Sequence, residues 1–557
     1  MSDGATPVVV MRVRTVQRAL IALALALCVG SWIVLGAFRG LYNPDEARYA
    51  EIPREMLAAG DWVVPHLDGL VYIEKPPLQY WCTAIAYRLF GASAWSARLL
   101  ACLAGLGTVL VTAWLGGRLW NRRAAGLSGL IAASSVLVML MSHQLTLDML
   151  LTFFMTVTLA GFCIAQDART ATADRDRWML IAWAAAAAAF LTKGLEAGAL
   201  PILALAGYSV LQRDFAPWRR LALPVGLPLF LLITLPWLGM IEHRLPAFFE
   251  FFFVREHFER FLTRIEARYQ PWWFFGEVLA VGALPWIVPM ARALAGGWRA
   301  SQPRGTFDAR RLLWVWSLIV LVFFSASHSK LIPYILPMFP ALALLAASLP
   351  EARLRRDLRL TGGVLTALGV ALALAALILP RLLHQSARAP YFASLRAPLA
   401  VIGAVAIVGG GSALASRGAS LALTARLAGT SYLCFLGILW AAALLAPIYS
   451  SGPLVAQLSP ALRAVPAVYS VGMYDQGLPF YLRRTVTLVD YRGELDFGLT
   501  LAPQKGIATL AEFARRWRAT PQALAAMAPM TYGKLARQSL PMVVRARAPN
   551  ELIVSRR

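Results

Sequence analysis

Nothing in these 557 residues has the spacing of a nucleotide-binding loop: there is no Gly-x-Gly-x-x-Gly turn, no Walker loop, and no segment that repeats another. The first absence argues against a nucleotide cofactor or engine, the second against a transporter built from repeated halves. Cysteine is sparse. The five residues are an odd number, with Cys28, Cys102, Cys163 and Cys434 inside apolar runs and Cys82 beside Trp81, so neither a disulfide framework nor a metal spacing emerges. Charge is the third shortage. Only 15% of residues are charged against 59% hydrophobic, and a mean hydropathy of +0.61 excludes a soluble protein of this size.

What the chain has is long apolar sequence. Ala19 to Phe38, Leu221 to Met240, Gly362 to Leu379 and Leu427 to Leu445 are each long enough to cross a bilayer as helices. About thirteen such spans can be counted. Arg12, Arg14 and Arg18 precede the first run, which is too long for a signal peptide and reads as an uncleaved span with its N-terminus in the cytoplasm. Alternation from that start places Arg118, Arg122 and Arg123, then Arg169, Arg175 and Arg177, then Arg213, Arg219 and Arg220, in inside loops. Arg299, Arg304, Arg310 and Arg311, and Arg353, Arg355, Arg356 and Arg359, follow the same rule. The net charge of +24 is therefore a topology signal with an added attraction to anionic membrane lipids, and nucleic acid is not an expected partner.

The outside segments receive everything unusual: residues 41 to about 94, the turns Ser142 to Leu147 and Thr192 to Glu196, the stretch from 241 to about 272, and Ser327 to Lys330. Trp62, Tyr72, Trp81 and Tyr87 in the first, and Phe248 to Phe261 with Trp272 and Trp273 in the second, suggest helices lying in the interface. After about Ser451 the pattern changes. Ala467 to Gly472, Leu478 to Leu482 and Thr485 to Tyr491 read as short strands, so residues 1–450 are expected to form the membrane domain and 451–557 a small outside α/β domain.

Chemistry-bearing residues gather in those outside segments. Pro44-Asp45-Glu46-Ala47-Arg48-Tyr49 puts two carboxylates and an arginine directly after a span, although Asp45 and Glu46 also suit the dipole of a helix N-terminus. Glu74-Lys75-Pro76-Pro77 pairs an acid with an ammonium, and Asp148 opens an otherwise apolar span, where an acid more often lines a cavity than faces lipid. Lys193 and Lys330 sit at the outer ends of other spans and suit snorkelling anchors equally well. His257 lies in an amphipathic run with Arg255 and Arg260. Together Arg48, Lys75, Lys193, Arg255, Arg260 and Lys330 suit a phosphate-bearing lipid, with carboxylates left to meet a sugar or a cation.

These residues resemble the GT-C glycosyltransferases over roughly residues 15 to 350, and within them the 4-amino-4-deoxy-L-arabinose lipid A transferases. Pro44 to Ile52 with Glu74-Lys75-Pro76 is shared with protein O-mannosyltransferase relatives. Gly60-Asp61-Trp62-Val63-Val64-Pro65-His66, Leu191-Thr192-Lys193-Gly194, Arg255 to Phe261 and Lys330 to Leu336 look like the lipid A branch. The last departs from the family pattern, which often places proline directly after Lys-Leu. The resemblance implies an all-α polytopic membrane protein with interfacial helices and a small C-terminal periplasmic α/β domain. It implies transfer of aminoarabinose from undecaprenyl phosphate to a lipid A phosphate at the periplasmic face of the Gram-negative inner membrane, giving polymyxin resistance, by a monomer.

Asp45 and Asp148 are the expected catalytic residues. Arg48, Tyr49, Glu74, Lys75, Lys193, Arg255, Arg260, Lys330 and Tyr334 are the expected substrate-binding set. Glu74 with His257 offers a carboxylate and an imidazole of the kind that hold zinc or manganese. The rival readings are another GT-C transferase acting on protein or glycan, a lipid transporter, and a binding module on a membrane scaffold. Transport asks for polar residues along a path through the bilayer, and a scaffold needs one anchor rather than many.

Overall fold

The computed structural model describes residues 27–259, 269–382 and 388–556, so the first expected span, Ala19 to Phe38, is described only from Leu27 onwards. After a short approach segment come α1 (Asp45–Ala59), the hairpin β1 (His66–Leu67) and β2 (Leu70–Val71), and α2 (Leu78–Phe90). The bundle then begins with α3 (Ala94–Leu119), α4 (Arg122–Ser134), α5 (Val136–Ser142), α6 (Leu147–Gln166) and α7 (Thr172–Lys193).

Among the described residues seven helices are long and apolar enough to cross a membrane. They are α3, α6, Leu223–Arg244, Ala309–Ala326, Glu351–Ile378, Ala389–Ala415 and Ser420–Leu444. An eighth results if α4 and α5, bent by 63°, count as one span. Other apolar stretches are shorter, such as Ile287–Gly296 and Ile332–Ala347. Prolines 285, 289, 333, 337 and 340 fall in or beside them, and each removes a helical hydrogen bond or starts a new turn. The expected count of about thirteen crossings is therefore not met by that many uninterrupted helices.

Four threonines inside the spans are satisfied within their own helix, as a dry environment favours. Thr108, Thr112, Thr152 and Thr156 each donate to the carbonyl four residues back, at 2.8, 2.6, 2.7 and 2.6 Å. Close helix contact is arranged with glycine: a Cβ on Gly362 would meet the Gly410 carbonyl oxygen at 2.6 Å, and one on Gly369 that of Gly403 at 2.7 Å. α6 runs through the centre of the bundle against α3 and α7, and Met149, Leu151, Met155 and Cys163 on it are buried.

The C-terminal segment forms a six-stranded sheet in the order β5-β4-β3-β6-β8-β7. The strands are β3 (Ala467–Val471), β4 (Thr487–Val489), β5 (Gly506–Ile507), β6 (Ala523–Met527), β7 (Val543–Arg547) and β8 (Leu552–Ser555). β3 to β6 pair in parallel, while β8 runs antiparallel to β6 and β7. One expectation is corrected here. Leu478 to Leu482 belongs to a helix, Gly477–Leu482, because Pro479 has no N–H for a ladder but fits a first helical turn.

The sheet domain docks on the first outside segment through polar contacts. Asp68, at φ 57°, accepts from the Val486 N–H at 2.7 Å, Lys505 donates to the Gly69 carbonyl, and Leu41 N–H donates to the Tyr481 hydroxyl at 2.8 Å. Burial pushes the Asp68 carboxyl up to about 8, against the Val486 donation and with help from nearby Glu55. The folded state thus keeps a proton that the unfolded chain releases near its ordinary value of about 4. Stability from this group is full below that value and is lost as pH rises towards 8. The melting temperature is expected to fall between pH 5.5 and 8.5. Asp68→Asn keeps the acceptor, tolerates the left-handed backbone and stays neutral, so its slope should be smaller. Identical slopes for variant and parent would remove Asp68 from the docking account.

Candidate active site

α1 starts at Asp45, directly behind Pro44, so its first turn presents Asp45 and Glu46 where the helix dipole favours negative charge. The two acids then part company. Glu46 is fully buried and accepts from Arg98 Nε at 2.7 Å and Nη2 at 2.9 Å, from Arg39, and from the backbone N–H of Tyr42 at 2.9 Å and Leu145 at 3.0 Å. Burial works to raise its pKa, but the two guanidinium groups prevail and hold the carboxyl down at about 2. Arg98 spends its remaining donors on the carbonyls of Gly36, Arg39 and Gly40 at 3.0, 2.8 and 2.8 Å.

Asp45 keeps 37% of its side chain exposed and faces a cavity of about 210 Å³. The same cavity is lined by Arg48, Tyr49, Glu74, Lys75, Asp148, Lys193 and Tyr334. Eight of the expected site residues, from five separate stretches of chain, therefore share one space.

Each wall residue is held from behind. Lys193, the last residue of α7, donates to Asp148 on α6 at 2.6 Å and lies 4.2 Å from the centre of the Tyr334 ring. Lys75 is 3.6 Å from Glu256, which joins the two long outside segments. Arg48 is 3.5 Å from Asp45 and pairs with Glu494 of the sheet domain. Glu494 in turn accepts from Gln476 Nε2 at 2.6 Å. Burial disfavours the Arg48 charge, yet Tyr72 and Glu494 beside it keep its pKa well above the ordinary value. Its Nε is buried without a hydrogen-bond partner among the described residues, a donor left available on the cavity wall. A small space with three cations, an open carboxylate and aromatic rings suits a phosphorylated sugar.

The remaining candidates lie elsewhere. Arg255 is exposed, 5.5 Å from the Phe251 ring centre, and Lys330 donates to the Gln270 carbonyl at 3.1 Å; neither lines the cavity. Arg260 and the His257 side chain lie outside the described residues. Among the described residues no three carboxylate, imidazole or thiol side chains come together as a cation site. Sequence reasoning passed over Arg98 and Glu494. Arg98 had a signal, a charge inside an apolar run. Glu494 had none, since its partner lies 446 residues earlier.

Comparison with known proteins matches residues 17–252 to the family described as dolichyl-phosphate-mannose-protein mannosyltransferase, and residues 454–556 to the aminoarabinose transferase C-terminal domain. The chain is 32% identical over 482 residues to the undecaprenyl phosphate-alpha-4-amino-4-deoxy-L-arabinose arabinosyl transferase of Enterobacter sp. (strain 638), covering 83% of this chain and 84% of that one. It is 39% identical over 347 residues to the protein of the same name from Pseudomonas paraeruginosa, 61% of each chain. The crystal structure of ArnT from Cupriavidus metallidurans bound to undecaprenyl phosphate superimposes with a TM-score of 0.88 at 33% identity, covering 97% of this chain and 98% of that one. The apo state of that protein gives 0.86.

If Glu494 holds Arg48 for the chemistry, replacing its charge at constant shape should cost a charge-assisted hydrogen bond. Glu494→Gln is expected to lower glycosyl transfer about tenfold or more with the folded protein retained in the membrane. Undiminished transfer in both Glu494→Gln and Glu494→Ala would show that Arg48 needs no anchor from the sheet domain.

Proposed function

The chain belongs to the family of undecaprenyl phosphate-aminoarabinose arabinosyl transferases, membrane glycosyltransferases, and from that premise we propose the reaction its cavity performs. The donor is 4-amino-4-deoxy-L-arabinose on undecaprenyl phosphate and the acceptor is a lipid A phosphate. An oxygen of that phosphate attacks the anomeric carbon, the bond from that carbon to the donor phosphate breaks, and undecaprenyl phosphate leaves with the electron pair. The observation that carries this reading is the cavity itself, where Asp45, Asp148, Arg48, Lys75 and Lys193 face one space.

An acceptor phosphate is already ionised near neutral pH, so it needs orientation more than a general base. Asp148 is committed to Lys193. Asp45, the more exposed of the two and only loosely paired with Arg48 at 3.5 Å, meets the ammonium of the sugar or aligns the acceptor oxygen. Arg48 and Lys75 receive the charge that develops on the departing phosphate. The long apolar helices supply the multi-span membrane setting. We place the cavity at the periplasmic face of the inner membrane because the arginine-rich loops belong to the opposite side, and polymyxin resistance follows from the neutralised lipid A.

Mass spectrometry of lipid A from a transferase-null Gram-negative strain with donor synthesis switched on tests the assignment. The unmodified chain is expected to add aminoarabinose, and Asp45→Asn and Asp148→Asn to lower transfer by about a hundredfold or more at equal membrane expression. Unchanged lipid A with the parent chain would turn the assignment to another polyprenyl-phosphate sugar and acceptor, the reading favoured by the mannosyltransferase match.

A divalent zinc or manganese ion held by Glu74 and His257 belongs to the proposal, although no step is routed through it. Glu74 is on the cavity wall, and such an ion would add positive charge beside the phosphate. Dialysis against a chelator is expected to lower transfer, with restoration by added metal. Indifference to the chelator removes the ion.

A further inference from the structure

One helix carries two sites. Asp148 stands at the start of α6 on the catalytic cavity, and Gln166 is the last residue of the same helix. Eighteen residues at a helical rise put them roughly 27 Å apart, about the thickness of the hydrocarbon core. Gln166 lines a second cavity, of about 750 Å³, closed by the end of α3, by residues 214–220 and by the Ser301–Arg310 segment.

The side chain of Gln166 is 1% exposed, and neither its amide nitrogen nor its oxygen has a hydrogen-bond partner among the described residues. A buried carboxamide left in that state carries a substantial desolvation cost unless something else meets it. Arg310 shares the wall and has a buried Nε without a partner as well. The carboxylates nearby are already engaged. Asp167 takes Arg169; Asp214 accepts from Ala216 N–H at 3.1 Å and Tyr208 at 3.3 Å; Asp308 accepts from the backbone N–H of Ser301 at 2.6 Å, Gln302 at 3.1 Å and Arg311 at 3.2 Å. No ion pair of Arg220, Arg310, Asp214 or Asp308 is present among the described residues; the two carboxylates are met by neutral donors, whereas Arg310 keeps a buried Nε unmet and Arg220 stands exposed at the rim. Trp120 and Phe307 supply apolar wall beside them.

We propose that this cavity binds a hydroxyl-bearing phosphate ester, the chemistry of the glycerophosphate headgroup of an anionic phospholipid in the leaflet opposite the catalytic site. The arginines take the phosphate oxygens. The carboxamide, donor and acceptor at once, meets a glycerol hydroxyl, and the aromatic rings lie against the start of the acyl chains. The site lies outside the transfer reaction and stands or falls apart from it.

The purified full chain, stripped of lipid, is reconstituted into nanodiscs of dioleoyl phosphatidylglycerol or dioleoyl phosphatidylcholine, and its melting temperature is measured. A third sample is the phosphatidylcholine disc with free glycerol 1-phosphate. The parent is expected to melt several degrees higher in phosphatidylglycerol. Gln166→Leu should be at least as stable as the parent in phosphatidylcholine, because it removes an unmet amide, yet gain less from phosphatidylglycerol. Arg220→Ala combined with Arg310→Ala should lose that gain too. A shift with free glycerol 1-phosphate as large as with the lipid supports the ester chemistry and assigns its source to a soluble molecule. Equal melting in the two lipids with no response to the free ester, or a phosphatidylglycerol gain undiminished in both variants, overturns the proposal.

Discussion

The site is registered by one buried carboxylate that takes no part on the cavity wall. Glu46 binds Arg98 of α3, Arg39 of the approach segment and the Leu145 backbone N–H just before α6. Asp45 is its neighbour in sequence, and Asp148 follows Leu145 by three residues, so both acids of the cavity are positioned from the same oxygen pair. With Arg98 using every guanidinium donor, removing either partner would strand a charge in a dry interior at a cost of about 3–5 kcal/mol. A pair of this kind is retained for register: exchanging it for apolar side chains could keep the packing but would release the angle at which α1 meets the bundle.

The sheet domain depends on that frame and completes it. Asp475 accepts from Asn43 at 2.7 Å, two residues before Asp45, while Glu494 reaches Arg48. Phe497 packs against Phe251 with ring centres 4.5 Å apart, bringing the second outside segment into the same assembly. The cavity wall is thus braced from behind by parts of the chain that are hundreds of residues apart. A donor phosphate entering it meets cations whose positions were settled on folding, and electrostatic stabilisation of a leaving group works best when its donors need no reorganisation.

Much of this was legible before any coordinates, and the reason differs from residue to residue. Asp148 stood out because an acid opening an apolar span more often lines a cavity than faces lipid, Lys193 suited a snorkelling anchor equally well, and the structure pairs the two. Asp45, Arg48, Glu74 and Lys75 were visible as dense local motifs. Glu46 was equally visible but carried no sign that it would turn inward, since a helix-starting acid looks the same whether it faces water or an arginine. Leu478 to Leu482 misled because a short apolar run fits a buried strand or a buried helix alike. Glu494 and Gln166 needed the fold, because their significance rests on what lies opposite them in space.

The arginines give the clearest physical sorting of this chain. Those that orient it in the membrane pair where solvent reaches them: Arg177 with Asp174 is 79% and 50% exposed, and Arg123 with Glu351 is 33% and 48% exposed, arrangements that contribute little to stability. Arg98 and Arg48 are 1% and 3% exposed and pair with residues 52 and 446 positions away. Desolvating a guanidinium is tolerable only where the fold supplies a carboxylate and carbonyls in fixed positions, so burial of an arginine in a membrane protein marks a place where the fold has invested in geometry. Arg310 is half-buried without a carboxylate partner among the described residues, and like Arg48 it keeps an unmet Nε, here on the same cavity wall as an unmet carboxamide. Cavities at the two ends of α6 thus each carry a guanidinium donor that the fold itself does not pair, the arrangement a bound phosphate oxygen completes.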